Sequence, residues 1–420
     1  MIDVIPVKRP SGAVLILLAT VLAGGSGYLL MPLVAVDLGP VGYAAFAVFW
    51  SALYLIISAL SGVQQEIARA TQPRSAPAQE RLRPIARNFA LVVAAAVLVG
   101  TLGTAPLWVS AVFPQQGWSL VWPLAGGVSA YVIVAVVGGV LYGLRIWPFI
   151  AVMIAVDGVM RLALVAALLQ FTSDLGFIAW AVAAPFVLTP LLVWPFVRGH
   201  VVNRSELDVT FRPLTWNVAR TVIGSTSTGV LVSGFPLLLA ATSGNESASA
   251  IGALVLAITL TRAPIVIAVM SLQSYLVIHF RAQAAAVWPA LLRILALIVA
   301  ATLVLSALVY WLGSPALVLL VGPDYYLNGD VLALLVASAG LVGALCATGP
   351  AVLARSQHMI FTAGWVVAAT TTILLLLLPG PLETRAIVAL AVGPALGLLV
   401  HVGGLWRSLA GDRARRTDVR

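Results

Sequence analysis

Charged residues are scarce in this 420-residue sequence: Asp, Glu, Lys and Arg make up 9% of it, whereas hydrophobic residues make up 61%. Soluble domains carry roughly 25% charged residues, so a chain with so few charges lacks the polar surface that a water-soluble fold of this size needs. The composition therefore predicts an integral membrane protein. Its net charge of +9 is attributed to membrane topology and attraction to anionic lipid rather than to nucleic-acid binding.

Residues that bind metals and cofactors are also few. The one cysteine, Cys346, lies inside an apolar run, which excludes an intrachain disulfide and a cysteine-based metal site. The four histidines are scattered near the ends of apolar runs without the spacing of metal ligands. The sequence contains no GxxxxGK[ST] loop for binding ATP. We therefore expect neither a metal nor another cofactor.

Long apolar runs make up most of what is present. Because backbone polar groups must be satisfied inside a bilayer, each crossing is a helix of about 20 apolar residues or a strand of a closed barrel, and unbroken apolar runs favour helices. The sequence predicts an all-α membrane protein of twelve helices. They cover residues 11–36, 41–63, 89–112, 120–142, 148–171, 175–197, 221–241, 250–272, 286–311, 329–353, 359–379 and 386–406.

The basic residues predict how these helices are oriented. Short cytoplasmic segments keep Lys and Arg, whereas short translocated segments contain few of them. Nineteen of the 23 basic residues fall in the termini and the even-numbered loops, and only Arg385 falls in a loop on the other side. We predict a multi-pass protein of the plasma membrane with both termini in the cytoplasm, and an exposed external ion pair between Arg385 and Glu383.

Matches between the two halves of the sequence predict a repeated six-helix unit. The stretch "TVLAGGSG" at 20 matches "TVIGSTSTG" at 221, and "ALVVAAAVLV" at 90 matches "ALIVAATLVL" at 296, at a nearly constant offset. Such a repeat predicts two parallel lobes around a central cavity, as in transporters that bind substrate near the midplane and expose it to each side in turn. The predicted divisions are an N-terminal lobe (1–200), a cytoplasmic linker (201–220), a C-terminal lobe (221–406) and a basic tail (407–420).

Four segments resemble one known family: "LGPVGYAAFAVFWSALYLIISALSGVQQEIAR" at 38, "DGVMRLAL" at 157, "TLTRAPIVIAVMSLQSYLVIHF" at 259 and "LLVGPDYYLNGDVLALLVASAG" at 319. Their aromatic, Gly and Pro residues are placed as in polysaccharide biosynthesis and export proteins. These are the lipid-linked oligosaccharide flippases of the multidrug/oligosaccharidyl-lipid/polysaccharide (MOP) transporter superfamily. The resemblance implies twelve or fourteen helices in two lobes.

The resemblance also implies a function in cell-surface polysaccharide biosynthesis. It implies a flippase that carries a polyprenyl-pyrophosphate-linked glycan from the inner to the outer leaflet of a bacterial membrane. The expected partners are that glycan, the membrane lipids, and glycosyltransferases or a polymerase in the same membrane.

Two charged residues lie near the middle of the fifth predicted helix. Asp157 and Arg161 are four residues apart, so they share one face of the helix and can neutralise each other. A lone charge at the bilayer centre costs roughly 2.5–3.5 kcal/mol. The pair is therefore either a self-satisfied structural element or part of the central cavity. In the second interpretation Arg161 binds an anionic head group, and Asp157 modulates that binding or takes up a coupling proton.

Arg262 is the strongest single candidate for a binding residue. It lies near the midpoint of the eighth predicted helix with no acid three or four residues away. Its partner is either a carboxylate on another helix, such as Asp157, or a pyrophosphate, which a guanidinium binds in bidentate fashion. Arg293, early in the ninth helix, is either an interface anchor or a residue that guides the head group inward. The predicted head-group site is Arg262, Arg161 and Arg293, with Asp157 as modulator.

Other functions stay open at this stage. A drug/cation antiporter of the same superfamily needs acids in its cavity, whereas the embedded charges here are two or three Arg against one Asp, and a cationic cavity prefers anions. A membrane glycosyltransferase or polymerase needs a sizeable external loop, but the largest external connection, "SPALVLLVGPDYYLNG", has about sixteen residues. We therefore expect a transporter rather than an enzyme. The sequence does not separate it from a scaffold subunit.

Overall fold

A computed structural model describes residues 12–73, 85–202, 205–207, 210–244, 246–272, 276, 280 and 287–417. Residues 1–11 and 74–84 of the predicted N-terminal lobe, and parts of the predicted linker, C-terminal lobe and tail, lie outside this set. The described elements are α1 (Gly12–Ala70), β1 (Thr71–Pro73), α2 (Ile85–Val112), α3 (Trp118–Gly143), α4 (Trp147–Leu169), α5 (Leu175–Ala183), α6 (Pro185–Val201), β2 (Ser205–Leu207), α7 (Phe211–Val232), α8 (Phe235–Ala241), α9 (Ala248–Ser271), α10 (Val287–Val321), the 3-10 turn η1 (Pro323–Tyr325), α11 (Gly329–Ala354), α12 (His358–Leu376) and α13 (Leu382–Thr417).

Helix α1 contains two membrane crossings joined at one glycine. Gly39 has φ 63° and ψ 176°, a conformation that glycine adopts without steric cost, and the following Pro40 has no N–H to continue the helix. We call residues 12–38 the first arm and residues 40–70 the second arm. At about 1.5 Å per residue, each arm is long enough to cross a hydrocarbon core about 30 Å thick.

The number of crossings agrees with the sequence prediction. Ten of the described helices are long and apolar enough to span a membrane, or eleven if α7 and α8 form one bent span. These numbers count α1 once and α5 with α6 as one span. With the second arm of α1 counted separately and α7 with α8 taken as one span, the total is twelve. The chain is therefore a nearly all-α, multi-pass membrane protein.

A short antiparallel sheet joins the end of α1 to the segment between the two halves of the chain. Thr71 pairs with Leu207, and Pro73 pairs with Ser205. We call the membrane side that carries this sheet the sheet side, and the side that carries Gly39 the kink side.

Two of the predicted helices are broken. The sixth is divided into α5 and α6 at Ala184, directly before Pro185. The seventh begins at Phe211, inside the predicted linker, and its two parts α7 and α8 meet at a bend of 71°. Proline at the start of α6 and at Pro236 in α8 removes a backbone donor at each break.

The ninth predicted helix is longer than expected. The predicted end at residue 311 is wrong, because α10 continues through Pro315 to Val321. The first eight residues of the predicted sixteen-residue external connection are therefore helical. A proline removes only one hydrogen bond of the helix, and the apolar residues around it favour continuation. Most of α10 is exposed, and Leu319 is 90% exposed.

Helix α1 lies between the two halves of the molecule. It packs against α3 and α4 of the N-terminal half and against α7 and α9 of the C-terminal half, while α11 packs against α10 and α13. A Cβ added to Gly252 in α9 would overlap the Pro40 carbonyl oxygen, and the Tyr325 hydroxyl donates a hydrogen bond to the Ala35 carbonyl (2.8 Å). These contacts close the halves against each other at the kink side.

A second close contact lies nearer the sheet side. A Cβ added to Gly62 in the second arm would lie 2.6 Å from the Val222 backbone nitrogen in α7. The two halves therefore touch near both ends of the second arm of α1, and a central cavity lies in the space left between these contacts.

Candidate functional site

The central cavity has a volume of about 520 Å³, within the range of roughly 300–1,000 Å³ that is usual for ligand sites. Its walls come from both arms of α1 and from α4, α7, α8 and α9. Among the described lining residues, those with a charged or aromatic side chain are Tyr28, Tyr43, Trp50, Tyr54, Asp157, Arg161 and Arg262. The predicted pair and Arg262 therefore line one cavity.

Arg161 is 2% exposed, and protein groups contact its guanidinium on several sides. Its Nη2 donates to Asp157 Oδ2 (2.6 Å), and its Nη1 donates to the Val182 carbonyl (3.0 Å). Its guanidinium lies 4.4 Å from the ring centroid of Phe186 and 5.6 Å from that of Tyr54. The Val182 carbonyl is in the last turn of α5, where carbonyl groups lack a helical donor. Arg161 is thus neutralised by Asp157, and it also donates a hydrogen bond to a carbonyl left without a donor at the end of α5.

Asp157 lies between two cavities. Besides the central cavity, it lines a cavity of about 190 Å³ inside the N-terminal half, together with Gln64, Tyr131 and Thr189. Asp157 Oδ1 and Thr189 Oγ1 are buried and have no hydrogen-bond partner among the described residues. One oxygen of the carboxylate therefore binds Arg161, and the other is free to accept a hydrogen bond.

Arg262 differs from Arg161 because its charge has no protein counter-charge in the described part of the chain. It is 7% exposed; its Nη2 donates to the Leu231 carbonyl in the last turn of α7 (3.0 Å), and its Nε has no partner. Asp157, the carboxylate named as a candidate partner, is bonded to Arg161. A buried guanidinium with unused donors is suited to an anion.

A serine from α1 bridges the break between α7 and α8. Ser51 Oγ donates to the Ser233 carbonyl (2.6 Å) and accepts a hydrogen bond from the Leu237 N–H (3.2 Å). In an unbroken helix that carbonyl and that N–H would bond to each other. The N-terminal half therefore supplies the group that satisfies a gap in a helix of the C-terminal half.

Replacing Ser51 with Ala is expected to lower the stability of the protein by about 1–3 kcal/mol, because it leaves the partly buried Ser233 carbonyl and Leu237 N–H unpaired. The measurement is the midpoint of thermal unfolding in detergent. Ser26→Ala is the matched control, because Ser26 is also buried but its hydroxyl bonds only to Leu22 in its own helix. Equal midpoints for the two variants would show that the bridge adds nothing.

Comparison with known proteins identifies the family. No family model matches the chain. "Uncharacterized protein Rv1510" of Mycobacterium tuberculosis (strain ATCC 25618 / H37Rv) is 34% identical over 395 residues, which are 93% of this chain and 90% of that protein. The chain belongs to the same family as this mycobacterial protein. "Uncharacterized protein Mb3654" of Mycobacterium bovis, a further relative, is 32% identical over 398 residues, 93% of this chain and 91% of its own length.

Solved structures show that this chain has the fold of the MOP superfamily. "Lipid II flippase MurJ, inward closed conformation" matches with a TM-score of 0.68 and 13% identity over 93% of this chain and 87% of that chain. An inward-facing multidrug resistance MATE family transporter of the MOP superfamily matches with a TM-score of 0.66 and 14% identity. The match covers 98% of this chain and 100% of that chain. The fold that the resemblance implies is confirmed, whereas membership of the MOP superfamily and of its polysaccharide-export family stays a prediction.

Two other predicted residues lie away from the cavity. Arg293 is exposed on α10 and is not among the described lining residues. Arg385 donates to the Thr242 carbonyl (3.0 Å) and to Ser243 Oγ (2.9 Å), which follow α8. The predicted pair with Glu383 is therefore wrong, because residues two apart on a helix do not face each other.

The sequence marks Trp50 as a ring deep in a predicted helix, either stacked on sugar or packed in the protein or lipid, but it does not predict the aromatic wall that Trp50 forms with Tyr54 in the cavity. Trp50 and Tyr54 stack with ring centroids 4.5 Å apart and an angle of 28° between their planes, and both line the cavity. Their spacing of four within one arm signals a shared face, but it does not say which neighbour that face contacts.

In the described part of the chain, no group of three His, Cys, Asp or Glu residues could hold a metal ion.

Proposed function

We propose that the protein is a flippase that translocates a polyprenyl-(pyro)phosphate-linked oligosaccharide across the plasma membrane by alternating access, for cell-surface polysaccharide biosynthesis. Arg262 is the observation on which this proposal depends. It is a buried guanidinium, without a carboxylate partner among the described residues, at the wall of a cavity between two halves. An unpaired buried charge is costly, and a phosphate anion in the cavity would offset that cost.

Each residue of the proposed site has a distinct part. Arg262 binds the phosphate, Arg161 lines the same cavity from α4, and Asp157 neutralises Arg161 and so sets the net charge of the cavity wall. Arg293 is exposed outside the cavity lining, which favours an interface anchor over a head-group contact. The lobes (1–200 and 221–406) rock about the linker (201–220), with the sheet side and both termini in the cytoplasm.

A cation antiporter is the second candidate, because Asp157 has a free oxygen in the cavity and solved neighbours include multidrug transporters. The charge balance disfavours it. Arg161 already neutralises the Asp157 carboxylate at 2.6 Å, and Arg262 leaves the described cavity wall with net positive charge. Such a wall repels a cation and attracts an anion.

Reconstitution in liposomes tests the proposal. We expect fluorescent polyprenyl-phosphate- and polyprenyl-pyrophosphate-linked sugars, added to one leaflet, to exchange faster in proteoliposomes than in protein-free liposomes. Transport of ethidium against a proton gradient, measured in the same vesicles, reports the antiporter activity. Ethidium transport without lipid exchange would contradict the flippase proposal and support the second candidate.

A further inference from the structure

The charge of the cavity narrows the class of substrate. Resting on the proposed function, we infer that the head group carries a single phosphate: the substrate is a polyprenyl-monophosphate-linked sugar, bound by its phosphate at Arg262 and by its sugar on the Trp50–Tyr54 rings. A phosphodiester of this kind has one negative charge, whereas the corresponding pyrophosphate diester has two.

The described cavity wall offers one unneutralised positive charge. Its charged residues are Asp157, Arg161 and Arg262, and the first two are joined at 2.6 Å. A monophosphate at Arg262 therefore leaves no net charge in the cavity. A pyrophosphate leaves one negative charge without a partner in a medium of low dielectric constant, which is strongly unfavourable.

Arg161 is not free to supply the missing charge. One of its terminal nitrogens binds Asp157 and the other binds the Val182 carbonyl. The rings of Phe186 and Tyr54 lie against its guanidinium. A pyrophosphate could recruit Arg161 only by breaking the ion pair and leaving the Asp157 carboxylate buried and unpaired.

The aromatic wall supplies a surface for the sugar. Trp50 and Tyr54 are stacked, and Tyr54 lies next to Arg161, so the rings adjoin the charged part of the cavity. The C–H face of a pyranose packs on an aromatic ring, whose apolar surface is large and rigid. Ser233 and Thr259 also line the cavity, and their hydroxyls can bond to those of a sugar. A cavity of about 520 Å³ suits a compact head group.

The test compares two fluorescent lipids with the same polyprenyl chain and the same hexose, joined through one phosphate or through a pyrophosphate. In liposomes containing the full-length protein, we expect the monophosphate lipid to exchange at least about tenfold faster. Asp157→Asn removes the negative charge of the pair, so the described wall then carries two positive charges. The ratio of the monophosphate rate to the pyrophosphate rate is expected to fall at least about tenfold. Asp37→Asn is the control, because Asp37 is exposed and lies outside the cavity lining.

A third probe, polyprenyl methyl phosphate, has the same charge but no sugar. Trp50→Leu is expected to slow the exchange of the monophosphate sugar lipid by about tenfold and to leave the methyl phosphate probe near the wild-type rate. Equal slowing of both probes would overturn the inference that the Trp50–Tyr54 rings bind the sugar.

The remaining outcomes separate the inference from the proposed function. If the wild-type protein exchanges the pyrophosphate lipid as fast as the monophosphate lipid, the inference is overturned but the flippase proposal is not. This comparison uses only the wild type, so it tests the inference even if Asp157→Asn does not fold. An unchanged ratio in a folded Asp157→Asn protein would also overturn it. Exchange of neither sugar lipid would overturn the proposed function and the inference together.

Discussion

Arg262→Ala is expected to lower the rate of lipid exchange by roughly 10- to 100-fold, because charge-assisted hydrogen bonds to a phosphate contribute about 1.5–3 kcal/mol. In the described cavity wall no other cation is left without a counter-charge, so another residue cannot replace it. The measurement is the initial rate of exchange of a polyprenyl-phosphate-linked sugar in liposomes that contain equal amounts of protein.

Two further variants separate loss of binding from loss of fold. Arg262→Lys keeps the charge but cannot form a bidentate contact, so its rate is expected to lie between those of the wild type and Arg262→Ala. Arg220→Ala is the matched control, because Arg220 is exposed on α7, where its guanidinium packs on the Trp216 ring outside the cavity. A wild-type rate in Arg262→Ala would remove the proposed phosphate site.

Gly252→Leu is expected to reduce exchange to less than about a tenth of the wild-type rate. Any side chain here meets the Pro40 carbonyl oxygen, which is backbone and cannot rotate away, so α9 and α1 must move apart at the kink side. Overpacking of this kind costs about 1–3 kcal/mol, which shifts a two-state equilibrium by roughly 5- to 150-fold. A transporter that cannot close one side does not complete its cycle.

Labelling of an engineered cysteine measures this opening directly. Cys346 is buried and is the one native thiol, so Cys346→Ala provides a background for Tyr43→Cys, a fully buried position near the contact. A membrane-impermeant maleimide is expected to label that cysteine faster when Gly252→Leu is present. Gly244→Leu is the control, because a Cβ there meets no atom within 4 Å. Equal labelling in both backgrounds would show that the contact does not close the kink side.

The helices were predictable because apolar length alone identifies a membrane crossing, but the breaks were not. Pro185 coincides with a break and Pro315 lies inside a continuous helix, although each removes the same backbone donor. At the α7–α8 break, Ser51 supplies a bond from 182 residues away in sequence. Whether a break is stable depends on such tertiary partners, and a local pattern does not contain them.

In the candidate site too, the contact within one helix was predictable from the sequence and the contacts between helices were not. The spacing of Asp157 and Arg161 predicted their ion pair, since residues four apart on a helix are neighbours. For Arg262, the sequence established that its own helix offers no acid, and left open whether another helix does. The structure answers this point because it places the Asp157 carboxylate on Arg161. The role of Tyr54 beside Arg161 was not predictable, because it depends on how α1 packs against α4.

The length of α10 affects how the C-terminal half sits in lipid. Its 35 residues measure roughly 52 Å at about 1.5 Å per residue, too long for a core of about 30 Å even at the steepest usual tilt of about 40°. Trp311 is 76% exposed, and such rings anchor at the water interface. The turns beyond Trp311, with the exposed Leu319, therefore extend past the hydrocarbon core, and the thickness of the bilayer limits the tilt that α10 can adopt.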